Sequence, residues 1–408
     1  MKKRSYTFEK FLIGVVSILL VACIALIFGL KSGLVNIDFK SKGEQKKGEK
    51  AEQKVESGEQ ASFTFMGVGD NLLHDVIFYN MDQTMKDIDY NTIYSNITQY
   101  TTADINYINY ETICAGTENG LTLGGYPAFN GPTGFNDAVA NAGFNWFSLC
   151  SNHTYDRGIT GVLTELDYIK THQPQVTVTG AYASAEEAST PTVVEINGIK
   201  VGLASYCYGF EGEPVGTDEA NWMVNRIDEN KIRNDLAVLN EVSDVQIVTM
   251  HWGSEYHTEQ NEEQEYYANL LNELGVEVII GAHPHVIEPV EWIHGKEQDT
   301  LCYYSLGNFI SAQNANDNMI GGMANFKVTY NFDTKKATVS DATFTPTITY
   351  YDPSYNNYQI YTIHEWNDDL AASHEVTLVE KHDLTKAYVQ EYVKNVMKNV
   401  KNVTVVLE

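Results

Sequence analysis

At 408 residues, 43% apolar and 12% aromatic, the chain has enough apolar surface for a substantial core, which argues against a disordered class. Its formal charge of -27 is unevenly placed: residues 1–60 carry 11 Lys and Arg against 7 Asp and Glu, and the remainder carries 16 against 47. A domain that acidic repels phosphates at long range, so no nucleic-acid partner is expected; divalent cations, or a polymer held by local contacts, stay open.

In chain order, residues 1–10 read as a short basic cytoplasmic tail, with Lys2, Lys3, Arg4 and Lys10 ahead of an uncharged run from Phe11 to Leu30. Twenty such residues as a helix span about 30 Å, the thickness of a bilayer core, and the flanking charges place the N-terminus inside. The expectation is a single-pass membrane anchor at 11–30 with the C-terminal domain extracellular. Leu20-Val21-Ala22-Cys23 also resembles a lipobox, so a lipoprotein anchored at Cys23 is the alternative. Residues 31–61, rich in Lys, Glu, Gln, Gly and Ser, read as a solvated stalk.

From Ser62 the pattern becomes strand alternating with helix. Strands are expected at Phe63–Val68, Asp104–Tyr110, Phe144–Leu149, Val176–Val178, Thr192–Ile196, Val201–Tyr206, Val245–Met250, Val276–Ile280 and Leu301–Leu306. Helical spacing covers Asn136–Ala142, Gly158–Thr171, Asp228–Val242 and Glu262–Leu274. Thr338–Tyr351 alternates like strands, Tyr355–Val379 has no clear pattern, and Leu384–Val400 reads as an amphipathic helix. This predicts a layered α/β domain over 62–350 and a C-terminal extension over 351–408. The five cysteines lack Cys-X-X-Cys spacing, and four lie in strand-like runs as buried free thiols.

Chemistry-bearing residues gather where those strands end. Gly281-Ala282-His283-Pro284-His285 closes an apolar run, and two imidazoles one residue apart can turn toward one point. Asp70, Glu111, Asn152 with His153, and His251 stand at other strand ends. Carboxylate, amide and imidazole together suit one or two divalent transition ions, Mn, Fe or Zn. His153 is the candidate catalytic residue beside them. Taken singly, Asp70 could cap a helix, Asp156 and Asn308 could form Asx turns, and Trp252 and Tyr256 could be packing residues. His172, His257, His294, His364, His374 and His382 lack motif partners and are expected at the surface.

The order of motifs, from Gly69-Asp70 and Asn109-Tyr110-Glu111 through Ser151-Asn152-His153-Thr154-Tyr155-Asp156-Arg157-Gly158, His251-Trp252-Gly253-Ser254-Glu255-Tyr256 and Gly281–His285 to Ser305-Leu306-Gly307-Asn308-Phe309, resembles the bacterial capsule synthesis family typified by CapA. That family is also called the poly-γ-glutamate synthesis accessory protein. The resemblance implies a calcineurin-like metallophosphoesterase fold. It implies Asp70, Glu111, Asn152, His251, His283 and His285 as metal ligands, with His153 catalytic. His74, Asp156, Glu255, Tyr256 and Asn308 would support the site or face substrate. Phosphoesterases of this fold carry Asp-X-His in the first motif; here the third position is Leu72, leaving His74 or water to replace that ligand. Two readings follow: a tethered extracellular metallohydrolase acting on a phosphoester or an envelope polymer, and a non-catalytic subunit that binds anionic polymer beside capsule synthase or export components.

Overall fold

The computed structural model describes residues 59–79 and 89–408. The expected anchor, and the stalk through residue 58, lie outside them; among the described residues no helix is long and apolar enough to cross a membrane.

Two sheets form the domain. In the first, β1 (Gln60–Asn71), β2 (Ile105–Asn109), β3 (Trp146–Ser148) and β4 (Thr177–Thr179) run parallel in that order. The second opens with the hairpin of β5 (Thr192–Ile196) and β6 (Ile199–Cys207), turning at Asn197-Gly198 as expected. It continues in parallel through β7 (Val245–His251) and β8 (Val278–Ala282) to β10 (Asp299–Tyr303), with β9 (Val290–His294) antiparallel at the edge.

Helices cover what the sheets leave apolar. Every residue of β7 is buried, as a parallel strand covered on both faces requires. Val245 and Ile247 join the large core shared with β1 and β2, whereas Val248 and Met250 meet Leu236, Leu239 and Leu271 of helices Glu229–Val242 and Glu262–Glu273. Both helices begin on side-chain caps: Asp228 accepts from the Lys231 N–H, and Asn261 forms a capping box with Gln264. The acidic run Glu262–Glu265 is thus a solvated first turn, which the helix dipole favours. Between the sheets, the buried hydroxyls of Thr179, Ser205 and Thr249 form a hydrogen-bonded chain from β4 through β6 to β7, with Trp146 Nε1 donating to Thr179.

Several features go beyond the sequence expectation or depart from it. The strand expected over Leu301–Leu306 ends at Tyr303, and Gly307 (φ 61°) turns the chain so that β11 (Asn308–Ile310) leaves the second sheet and pairs in parallel with β1. β13 (Lys336–Tyr350) matches the strand expected over Thr338–Tyr351, and with the unforeseen β12 (Ile320–Asn331) it forms a long hairpin that extends the first sheet from the other side of β1. The extension adds β14 (Gln359–Thr362) and β15 (Thr404–Val405) to β13, and the expected terminal helix, Lys386–Val396, lies between those two strands in the chain. His374, expected at the surface, is fully buried among Tyr350, Tyr351 and Trp366: its Nε2 donates to the Thr349 carbonyl and its Nδ1 accepts from the Val376 N–H. The other five motif-free histidines are exposed, and Cys114, Cys150, Cys207 and Cys302 are buried free thiols.

Burial raises the pKa of several carboxyls, Glu165, Glu277 and Glu288 among them, and Glu277 shows the consequence for stability. Glu277, entering β8, accepts the Gln246 N–H at 2.7 Å, and burial pushes its pKa up to about 8. A carboxyl raised on folding stabilises the native state fully below its unfolded value near 4.5, and that stabilisation is lost as pH rises through about 8. Glu277→Gln, which keeps the acceptor and removes the charge, is expected to raise the melting temperature by about 2–4 °C at pH 8. Thermal denaturation across pH should show the gain shrinking toward pH 4.5; a gain independent of pH would contradict it.

Candidate metal centre

The carboxyl ends of the parallel strands from both sheets meet at one edge, where α/β folds place ligands. Asp70 is the penultimate residue of β1, Glu111 follows β2, Asn152 follows β3, His251 ends β7 and His283 follows β8. All five are buried, as is His285. Close backbone approach makes this convergence possible: a Cβ at Gly69 would lie 1.9 Å from the Gly307 carbonyl, and one at Gly281 would lie 1.8 Å from that of Tyr304. His283 (φ 101°) and His285 (φ 59°) both occupy the left-handed region, at a cost of about 1–3 kcal/mol each. The surrounding bonds hold them there: His283 N–H donates to Asp70, and the Pro284 carbonyl between them accepts from Tyr256 N–H at 2.8 Å.

Three sets of side chains bring ligand atoms within 4.8 Å of one another: Glu111 with His251 and His283; Asp70 with Glu111 and His285; and Glu255 with His283 and His285. Glu111 belongs to two of them. It is completely buried, and neither carboxylate oxygen has a hydrogen-bond partner; His283 Nδ1 is likewise buried and unpartnered. Each such atom costs about 1–3 kcal/mol if left unsatisfied. Burial drives the Glu111 pKa well above the carboxylate range. It also drives His251 far down and His283 to about 3, so both imidazoles are neutral, the form that binds metals. His285 goes the other way. Burial opposes its charge, but Glu111 and Asp70 push its pKa up to about 9. The site thus collects carboxylate oxygens and imidazole nitrogens, a donor set that fits a divalent cation, whose binding would displace the proton from His285.

A surrounding layer orients the donors. Asn109, part of the Asn109-Tyr110-Glu111 motif but given no role of its own there, donates from Nδ2 to Asp70 Oδ1 at 2.9 Å and lies 3.3 Å from His251 Nδ1. His251 Nε2 is 2.9 Å from Asn152 Oδ1. Asn308, carried across by β11, directs Oδ1 to His285 Nδ1 at 3.1 Å, because its Nδ2 donates to Gln313 Oε1 and the Asn318 carbonyl. Gln313, not singled out by the sequence, also bonds the Tyr256 hydroxyl, and its carbonyl accepts from Tyr351.

His153 Nδ1 pairs with Asp156 Oδ2 at 2.8 Å, and the same oxygen accepts from Phe129 N–H. Phe129 packs edge-on against both His153 and His74. His74 stands beside the cluster but in none of the three donor sets; its Nδ1 accepts from Ala312 N–H, and burial lowers its pKa to about 4. Leu72 is buried. Trp252 is a core residue whose Nε1 donates to the Tyr304 carbonyl, whereas Tyr256 is exposed.

Fold and donors together define a layered α/β domain with a candidate divalent-metal centre. The chain belongs to the bacterial capsule synthesis protein PGA_cap family, whose pattern matches residues 64–313. It is similar to the PGA biosynthesis protein CapA of Bacillus subtilis (strain 168), 25% identical over 170 residues, 42% of this chain and 43% of that protein. It is also similar to the capsule biosynthesis protein CapA of Bacillus anthracis, 25% identical over 186 residues, 43% and 42% of the two chains. The match spans less than half the length of either relative. Similar solved structures include a putative 5'-nucleotidase from Staphylococcus aureus (12% identity, 70% of this chain and 54% of that one, TM-score 0.40) and Haemophilus influenzae NAD nucleotidase (10%, 85% and 57%, TM-score 0.39).

Glu111→Gln should abolish tight binding of a divalent ion, and Gln313→Ala should weaken it by about tenfold, as loss of an outer hydrogen-bond partner does. Elemental analysis and competition with a chelating dye measure both. Unchanged affinity in Glu111→Gln would contradict the site.

Proposed function

We propose that the protein is a metal-dependent hydrolase of capsule or poly-γ-glutamate biosynthesis, tethered by residues 11–30 with its folded domain outside the cell. Family membership supports the envelope-polymer role. The observation that carries the hydrolytic reading is Glu111, whose two buried, unpartnered oxygens lie between two sets of ligating groups. The basic tail and uncharged run of the first 30 residues support the tether.

Asp70, Glu111, Asn152, His251, His283 and His285 would hold one or two divalent ions, with Glu111 common to both positions. Bound there, such an ion supplies Lewis-acid polarisation of a phosphoryl or carbonyl oxygen and an acidified water. The protein's own groups do the rest. Asp156 accepts the Nδ1 proton of His153 and so fixes the tautomer and ring plane. Nε2 is then the nitrogen that holds or releases a proton at the leaving-group oxygen. Phe129, edge-on to the ring, limits water around it. Asn308 and Asp70 share the Nδ1 side of His285, leaving its Nε2 facing Glu111 at 3.7 Å.

The test uses the full-length protein with Mn and a chromogenic phosphodiester. His153→Ala should lower turnover by about 100-fold or more, and Asp156→Asn by less, with metal content unchanged in both. Equal rates in all three proteins would contradict the role given to His153. Metal binding without turnover of phosphoesters or capsule polymer would favour the polymer-binding subunit instead.

A further inference from the structure

We propose that the mouth of this centre selects a substrate carrying an ammonium group close to the oxygen that meets the cation: an ammonium-bearing phosphoester or ester, rather than a bare polyanion. This rests on the metal-dependent reading above and adds the chemistry of the group flanking the reacting bond.

Three exposed tyrosines surround the buried imidazoles. Tyr208 is 41% exposed, and its ring centroid lies 4.6 Å from that of His283 and 6.4 Å from that of His251. Tyr256 is 56% exposed and stands 5.9 Å from His285. Tyr126, 78% exposed, meets Phe129, which packs against His153. Each ring is therefore tied to a different part of the centre, and exposed aromatic faces over a polar site attract cations or flat rings.

Charge chooses between those two. Glu255 is exposed and reaches within 4.8 Å of ligand atoms of His283 and His285. Its loop is held in place: Gly253 (φ 92°) and Tyr256 (φ 64°) are both left-handed, and Asn261 Nδ2 donates to Ser254 Oγ. Glu211 is exposed, and its N–H donates to the Asn152 carbonyl at 2.7 Å. Glu255 and Glu211 both lie within electrostatic reach of the Tyr208 hydroxyl.

Positive charge is scarce. Among the described residues, the segments around the centre (70–79, 116–131, 150–158, 207–226, 251–261, 283–289 and 307–319) contain no lysine and two arginines, Arg157 and Arg226. Arg157 donates to the Ala128 carbonyl, with its Nε buried. Arg226 pairs with Glu213 at 2.6 Å and lies over the Phe210 ring. Arg226 is thus already paired with a carboxylate, and Arg157 is directed toward the Ala128 carbonyl. Among the described residues, a polyanion would meet the Glu255 and Glu211 carboxylates with two arginines and no lysine in these segments, whereas an ammonium group meets tyrosine faces and carboxylates together. Beneath the mouth, the unpartnered Glu111 marks where the cation that takes the anionic end would sit.

Calorimetric titration of the full-length, Mn-loaded protein with phosphocholine and with glycerol 3-phosphate tests this, with bound metal measured in every sample. Wild type should bind phosphocholine about tenfold more tightly than glycerol 3-phosphate. Glu211→Gln and Tyr208→Leu should each move that ratio toward one; Glu211 is exposed, so its variant keeps the test valid even where Tyr208→Leu fails to fold. Equal affinities in wild type, or a ratio that neither variant changes, would overturn the proposal while leaving the hydrolase reading intact. Failure of the metal-loaded protein to bind either compound would overturn both.

Discussion

Burying a carboxylate without a hydrogen bond is among the most expensive arrangements a protein interior can contain, and Glu111 is in that position with both oxygens. Around it the chain has placed a second buried carboxylate, two imidazoles that burial keeps neutral, and one that the carboxylates keep charged. The left-handed backbone at His283 and His285 adds strain at the same spot. A fold tolerates such concentrated cost where something binds there. A divalent cation between these donors would turn orphaned atoms and like charges into ligands, so the centre's energetics make sense as one unit.

The architecture serves that unit. Parallel strands of both sheets direct their carboxyl ends to a common edge, so ligands more than two hundred residues apart become neighbours without any long loop reaching inward. Strands β7 and β8 are rigid because both faces are packed, which fixes His251 and His283 relative to each other. β11 joins the halves. By leaving the second sheet for β1 it brings Asn308 to His285, and Gln313 beyond it ties Tyr256 and Tyr351 of the C-terminal part to the same network.

Much of this arrangement is legible in the sequence. Apolar runs such as Val276–Ile280 end abruptly in polar motifs, so the strand ends bearing Asp70, Glu111, Asn152, His251 and His283 could be located, and the helices over Gly158–His172 and Glu229–Val242 fell within two residues of expectation. What escaped depends on tertiary contacts. β11 is three residues long and has no periodicity of its own. Asn109 lies in an apolar strand, and its role comes from Asp70 and His251, neither adjacent in sequence. Gln313 sits in an unpatterned loop. His374 was misplaced because only the folded aromatic cluster and the Thr349 carbonyl reveal that both ring nitrogens have partners. The tyrosine and carboxylate mouth also emerges only once separate loops are brought together.

The central claim is that a cation belongs at Glu111. Anomalous diffraction from crystals of the protein grown with Mn tests it most directly. The account predicts one or two anomalous peaks about 2.0–2.3 Å from a Glu111 oxygen, with Asp70, His251, His283 or His285 completing the contacts. Ordered Mn bound elsewhere, with Glu111 left bare, would contradict it.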